Sequence, residues 1–223
     1  MNKIYSFLLC CLAIGCIAGT FTNESMTSSA IQNNVEDIAT KYNGQVDYFN
    51  EPFDCNVNTS AIIYEISIND AITKINNHEE FYLLLSANWC PYCRTEIGPL
   101  SDCFADNNVP IYYISFDHDK NTKTTYKWTG STYSVDYLNQ EFEELKQQLG
   151  EEQLPYANAL DTDKVKHKID QKTILLPSVF YISKGSSTLC ATPDIDYHEG
   201  LTDYNYKNIY NTYNDFIANH NSK

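Results

Sequence analysis

Phe81-Tyr82-Leu83-Leu84-Leu85-Ser86-Ala87-Asn88-Trp89-Cys90-Pro91-Tyr92-Cys93-Arg94 reads as a strand that runs straight into a helix. The run Phe81–Ala87 has the nearly unbroken hydrophobicity of a strand buried on both faces. Cys90 then falls at the helix N-cap and Pro91 at the first helical position, where a missing N–H costs nothing. The unpaired N–H groups and the positive end of the helix dipole face the Cys90 sulfur and favour its thiolate. A thiolate attacks disulfides and a thiol does not. Cys93, one turn on, is close enough to close a Cys90–Cys93 bridge and expel whatever Cys90 has bound. C-x-x-C in this setting points to redox chemistry. Half of a zinc site is one alternative, but no second C-x-x-C or H-x-x-x-H is present to complete it. An inert structural bridge is the other.

Working outward, the chain is 223 residues long, which suits one domain with an insertion. Its net charge of −14 argues against nucleic acid or an anionic membrane surface as a partner. Met1-Asn2-Lys3 followed by the apolar run Ile4–Ala18 reads as an export signal over residues 1–19, too short for a comfortable membrane span. Two fates of that signal stay open. Cleavage could follow Ala18, or Leu12-Ala13-Ile14-Gly15-Cys16 could serve as a lipoprotein box with a lipid anchor on Cys16. Either way the folded part is expected to be extracytoplasmic, secreted or lipid-anchored to the outer face of the membrane, where disulfides persist. Beyond Cys10, Cys11 and Cys16 of the signal stand Cys55, Cys90, Cys93, Cys103 and Cys190. An odd number of cysteines leaves at least one thiol free or paired with another molecule.

Residues 20–50 are polar and read as a tether, with a short helix near Val35–Tyr42. The domain is expected over 51–223. Ala61–Ser67 is β-branched and aromatic, a first strand. Asn69 can cap a helix with Ile68, Ile72 and Ile75 on one face. The helix from Pro91 should send Ile97, Leu100 and Phe104 to the core and bend at Pro99. Ile111–Phe116 is the next strand, completing β-α-β-α-β with right-handed crossovers and a largely parallel sheet. About 118–172 is an insertion, read as helical, with helices at Val135–Leu149 and Asp161–Gln171. It is either a lid beside the site or a surface elaboration. Ile174–Ser183 and Ser187–Ala191 make a hairpin around Ser183-Lys184-Gly185-Ser186. Gly200 and Thr202 open a last helix whose stripe is Tyr206, Ile209, Tyr210, Tyr213, Phe216 and Ile217. His78, His118, His167, His198 and His220 show no ligand spacing; His118, past a strand end, is the one nearest the site.

Ala87-Asn88-Trp89-Cys90-Pro91-Tyr92-Cys93, Pro99, Leu176-Pro177-Ser178-Val179-Phe180 and Gly200 together resemble the thioredoxin-fold superfamily over about Ala61–Ala218. That fold is α/β, a central mixed sheet flanked by helices, here with a helical insertion between the third strand and the cis-Pro strand. An exported chain with C-P-Y-C-R followed by Ile111-Tyr112-Tyr113-Ile114 resembles the bacteriocin transport accessory protein group of Gram-positive bacteria. Cys93–Leu100 is also similar to extracytoplasmic thiol–disulfide reductases of cytochrome maturation. The resemblance implies a thiol–disulfide oxidoreductase, with Cys90 attacking and Cys93 resolving. Trp89, Pro91 and Tyr92 would shape the approach. Pro177 would be a cis-proline that presents the Leu176 backbone to a substrate chain. No metal or organic cofactor is implied, and the partners would be protein thiols and disulfides and a partner dithiol. An accessory that holds peptides without redox turnover is the alternative.

The sequence departs from that family at one mechanistic position. Thioredoxins usually bury a carboxylate six residues before the first active cysteine, and Leu84 stands there. The Cys93 proton must then go to water, to Glu96 or to a group on the insertion. The sheet order the resemblance implies puts Cys55 and Cys190 at opposite edges, and it brings Cys55 near the end of the helix holding Cys103. A Cys55–Cys103 disulfide is expected from that order, leaving Cys190 free.

Overall fold

The computed structural model describes residues 33–43, 55–116, 124–128, 133–137, 140–160, 166–195 and 201–221, all within one unit, Gln32–Lys223. Residues 124–128, 133–137, 157–160 and 166–171 are described by their backbones. The expected signal over 1–19, Cys16 and His118 lie outside the described residues. Among the described residues, no helix is long and apolar enough to cross a membrane.

A five-stranded mixed sheet flanked by helices forms the centre. Its strands are β1 (Ile63–Glu65), β2 (Phe81–Ser86), β3 (Ile111–Ser115), β8 (Ser178–Ser183) and β9 (Ser186–Leu189), in the order β1-β3-β2-β8-β9. β1, β3 and β2 run parallel, whereas β8 is antiparallel to β2 and β9 to β8. Every β2 side chain is buried, as its unbroken apolar run demands. The two faces separate by parity along the strand. Tyr82 meets Phe104 of α3 (Pro91–Asp106) and Phe216 of α5 (Asp203–Asn221), so those two helices cover one face. On the other face Phe81 meets Tyr112, which lies under Lys74 of α2 (Ile68–Asn76). Phe116 meets Phe142 of α4 (Gln140–Gln148) on that same side.

Several local expectations hold and several are corrected. The β8–β9 hairpin turns through Lys184 and Gly185, both at positive φ as its two-residue turn requires. α2 is capped by Ser67 and not by Asn69: Ser67 accepts from the Asp70 N–H, and Asp70 accepts from the Ser67 N–H. The first strand is only three residues long. Tyr206 and Tyr210 flank α5 instead of lying in its core, with hydroxyls donating to Asp102 at 2.7 Å and Asp106 at 2.8 Å on α3. Asn205 takes the buried place instead.

The segment between β3 and β8 is not simply helical. It holds β4 (Thr124–Trp128), β5 (Tyr133–Tyr137), α4, β6 (Tyr156–Leu160) and β7 (Lys166–Lys172). The four strands make a second sheet in the order β4-β5-β7-β6. The expected helix Val135–Leu149 therefore begins as a strand and becomes helical at Gln140. Of the expected helix Asp161–Gln171, the described part from Lys166 on is a strand, because antiparallel pairing with β6 satisfies its backbone where it has no apolar stripe to dock as a helix. This segment also covers the exposed edge of the first sheet. The Gln153 side chain accepts from the Leu189 N–H at 2.7 Å and donates to Ser187 Oγ at 2.6 Å.

Upstream, α1 (Val35–Asn43) falls in the stretch read as tether, yet Val35, Ile38, Ala39 and Tyr42 pack into the same core.

Candidate functional site

Cys90 is the N-cap of α3 in extended conformation, with Pro91 opening the helix. Both cysteines of the pair are buried, at 6% and 1% exposure for Cys90 and Cys93, so attack on Cys90 must come through a narrow opening. Neighbours line that opening. Tyr92 is 47% exposed. Trp89 is half-buried and donates its ring N–H to the Phe116 carbonyl at 2.8 Å, which fixes the indole across the end of β3. Across from Cys90 the Leu176–Pro177 peptide is cis, and the Leu176 carbonyl accepts from the Cys90 thiol at 3.6 Å. The structure thus brings together Trp89, Cys90, Pro91, Tyr92, Cys93, Leu176 and Pro177.

The two sulfurs differ electrostatically. A hydrogen bond from Cys93 holds the Cys90 thiol below its ordinary value, and the backbone N–H groups of Cys93 and Tyr92 add to this, while burial and the Glu96 charge oppose it. Cys93 is pushed well up, first by burial and then by Cys90; a hydrogen bond with Ser86 and one from the Ala87 N–H, at 3.4 Å, act the other way. The arrangement makes the outer sulfur the stronger acid of the pair and the inner one the weaker.

This asymmetry can be measured. Alkylation of Cys90 by iodoacetamide should reach half its maximal rate below the pH of about 8.5 typical of a free thiol, and Cys93 should label only after unfolding. Because the folded Cys90 is the stronger acid, its contribution to stability is present above the unfolded thiol's pKa. That contribution is lost as pH falls through the folded value. Glu96→Gln should lower the labelling midpoint further by removing an opposing charge. A Cys90 midpoint at the free-thiol value would contradict this electrostatic picture.

Sequence reasoning missed much of what surrounds the pair. Arg94 and Glu96 are almost fully buried on α3, which general statistics of charged residues do not anticipate. Arg94 Nη1 donates to the Tyr42 carbonyl at 2.6 Å and the Asn88 carbonyl at 3.2 Å, tying α1 to the loop before Cys90. Glu96 accepts from the Tyr213 hydroxyl, and its charge reaches Cys90 and Cys190. A cavity of about 80 Å³ lies between Pro177, Val179, Cys190 and Tyr213, with Pro155 from the segment after α4 in its wall.

The expected Cys55–Cys103 disulfide is not formed: both are thiols. Cys55 faces the Tyr42 carbonyl at 3.8 Å, and its own carbonyl abuts Gly98. Cys103 lies five residues further along α3, about 7.5 Å by helical rise, beyond the usual reach of a disulfide. Cys103 and Cys190 are both raised to about 12 by burial. Among the described residues no cluster of three or more His, Cys, Asp or Glu could hold a metal ion.

No protein-family model matches the chain, and no curated protein matches it either.

Proposed function

We propose that this chain is a thiol–disulfide oxidoreductase built on a thioredoxin-type fold, acting outside the cytoplasm on protein disulfides and thiols. One observation carries the proposal: an acidified Cys90 at the start of α3, with Cys93 bonded to it from below and the Leu176 carbonyl 3.6 Å across. The order β1-β3-β2-β8-β9, with three parallel strands and a closing hairpin, supports the thioredoxin reading, with the second sheet as its insertion. The proposed extracytoplasmic setting rests on the N-terminal signal read from the sequence, and the resemblance to bacteriocin transport accessory proteins on that signal, the C-P-Y-C-R run and Ile111-Tyr112-Tyr113-Ile114.

In this chemistry the Cys90 thiolate attacks one sulfur of a substrate disulfide, and the other substrate sulfur leaves with the electron pair. Cys93 then attacks Cys90, forming the internal bridge and releasing the second substrate thiolate. The protein pair gives up two electrons and the substrate disulfide takes them. The exposed Tyr92 and Leu175 lie near the Leu176 backbone and offer an extended peptide apolar contact beside it.

The test is an exchange measurement on the purified chain. Equilibration with reduced and oxidised glutathione should interconvert Cys90–Cys93 between dithiol and disulfide, and the reduced form should cleave insulin disulfides catalytically. A chain that holds peptides on a static bridge would show neither.

A further inference from the structure

Behind Cys93 the core is polar where its neighbours are aliphatic. Register explains how the polar groups line up. Ser86 pairs with Ser115 and Leu84 with Tyr113 between β2 and β3, and Glu65 pairs with Tyr113 between β1 and β3. Parallel partners share a face, as do residues two apart on a strand. Ser86, Ser115, Tyr113 and Glu65 therefore form one file from the central strand to the sheet edge. Tyr42 reaches over this file from α1, with its hydroxyl 2.6 Å from Ser86 Oγ, and either oxygen of that pair can donate. Ser86 also acts on the acidity of Cys93, Tyr113 on that of Tyr42, and Ser115 on that of Tyr113. Tyr42, Ser86, Cys93 and Tyr113 are buried, while Ser115 is half-exposed at the end of β3.

We propose that the hydroxyl chain Ser86–Tyr42–Tyr113–Ser115 carries the Cys93 proton out of the core when Cys93 displaces a substrate thiol from Cys90, in place of a carboxylate at position 84. The relay rests on the disulfide exchange proposed above. In that step the Cys93–Cys90 bond forms, the Cys90–substrate S–S bond breaks, and the electron pair leaves on the substrate sulfur. The Cys93 proton moves to Ser86, the Ser86 proton to Tyr42, the Tyr42 proton to Tyr113, and so on to Ser115 and solvent. Each hydroxyl gives up one proton as it gains another, so no buried charge persists. Glu96, one of the acceptors the sequence left open beside water and a group on the insertion, holds the Tyr213 hydroxyl, and its charge acts on Cys90. The other charged groups around the file are Arg94 on the Tyr42 carbonyl and Lys41, paired with Glu65 at 2.7 Å.

The test separates the two sulfur steps. The reduced full chain is mixed with one equivalent of dithiobis(nitrobenzoate), an aromatic disulfide whose thiolate is coloured. The first coloured phase reports attack by Cys90, and the second reports closure by Cys93. Ser86→Ala, Tyr42→Phe and Tyr113→Phe should leave the first phase unchanged and slow the second about tenfold or more at neutral pH. They should also make it rise about tenfold per pH unit, as hydroxide becomes the acceptor. Ser86→Thr, which keeps the hydroxyl, should restore rate and pH profile. The relay is overturned if the wild type shows both phases and the hydroxyl-deleted variants keep its second-phase rate and pH dependence. If the wild type shows no second phase, the exchange chemistry itself falls and the relay with it.

Discussion

Cys90→Ser should abolish disulfide reduction, by at least about a thousandfold, because a serine hydroxyl at neutral pH is neither ionised nor polarisable enough to attack sulfur. Cys93→Ser should behave differently. Cys90 would still attack, since the N–H groups at the start of α3 remain, but nothing inside the protein could then release the substrate. The variant should accumulate as a covalent mixed disulfide, one substrate per chain, visible by intact mass or on a non-reducing gel and discharged by dithiothreitol. A Cys93→Ala variant should trap substrate in the same way but only at higher pH than wild-type attack, because it removes the largest influence lowering Cys90, the hydrogen bond from Cys93, which a serine hydroxyl can replace. Equal loss of both attack and trapping in the two serine variants would leave the pair as architecture and not chemistry.

What could be read from the sequence follows from how local each cause is. β2, α3 and the Cys90 cap were legible because an unbroken apolar run and a proline at the first helical position act within a few residues. The β8–β9 hairpin was legible because Ser183-Lys184-Gly185-Ser186 determines its own turn. β7 was not. Lys166-His167-Lys168-Ile169-Asp170-Gln171-Lys172 has no alternation to mark a strand, and it becomes one only because β6 and β5 offer partners. The site divides in the same way. Cys90, Cys93, Trp89 and Pro177 announce themselves by motif. Tyr42 does not, since its partner Ser86 lies 44 residues away and a tyrosine in a polar stretch reads as solvent-facing. The cysteine pairing failed for a related reason. Sheet order brought Cys55 to the correct helix, but only the backbone contact at Gly98 shows that it meets that helix too far from Cys103.

That contact carries the largest stability effect expected in the fold. Gly98 sits inside α3, where glycine costs about 1 kcal/mol against alanine in helix propensity. On propensity alone, Gly98→Ala should stabilise the protein. The packing argues the reverse: a Cβ there would overlap the Cys55 carbonyl oxygen and come within 3.4 Å of the Asn56 carbonyl oxygen. Both obstacles are backbone, so no side chain can swing aside, and Asn56 is already held at φ 50°. The segment cannot simply drift away either, because the Cys55 N–H is tied to Asn43 at 3.1 Å and the Asn58 N–H to Ser101 at 2.8 Å. Overpacking of this kind costs about 1–3 kcal/mol, enough to cancel or exceed the helical gain. Gly98→Ala should therefore be neutral to destabilised, and Gly98→Val, with a branched side chain, should lose about 3 kcal/mol or more in urea unfolding. Because residues 55–58 are anchored to the end of α1, the displaced segment should also disturb Tyr42, slowing the second coloured phase more than the first. A Gly98→Val protein as stable as the wild type would mean that α3 and the chain before β1 do not meet at this glycine.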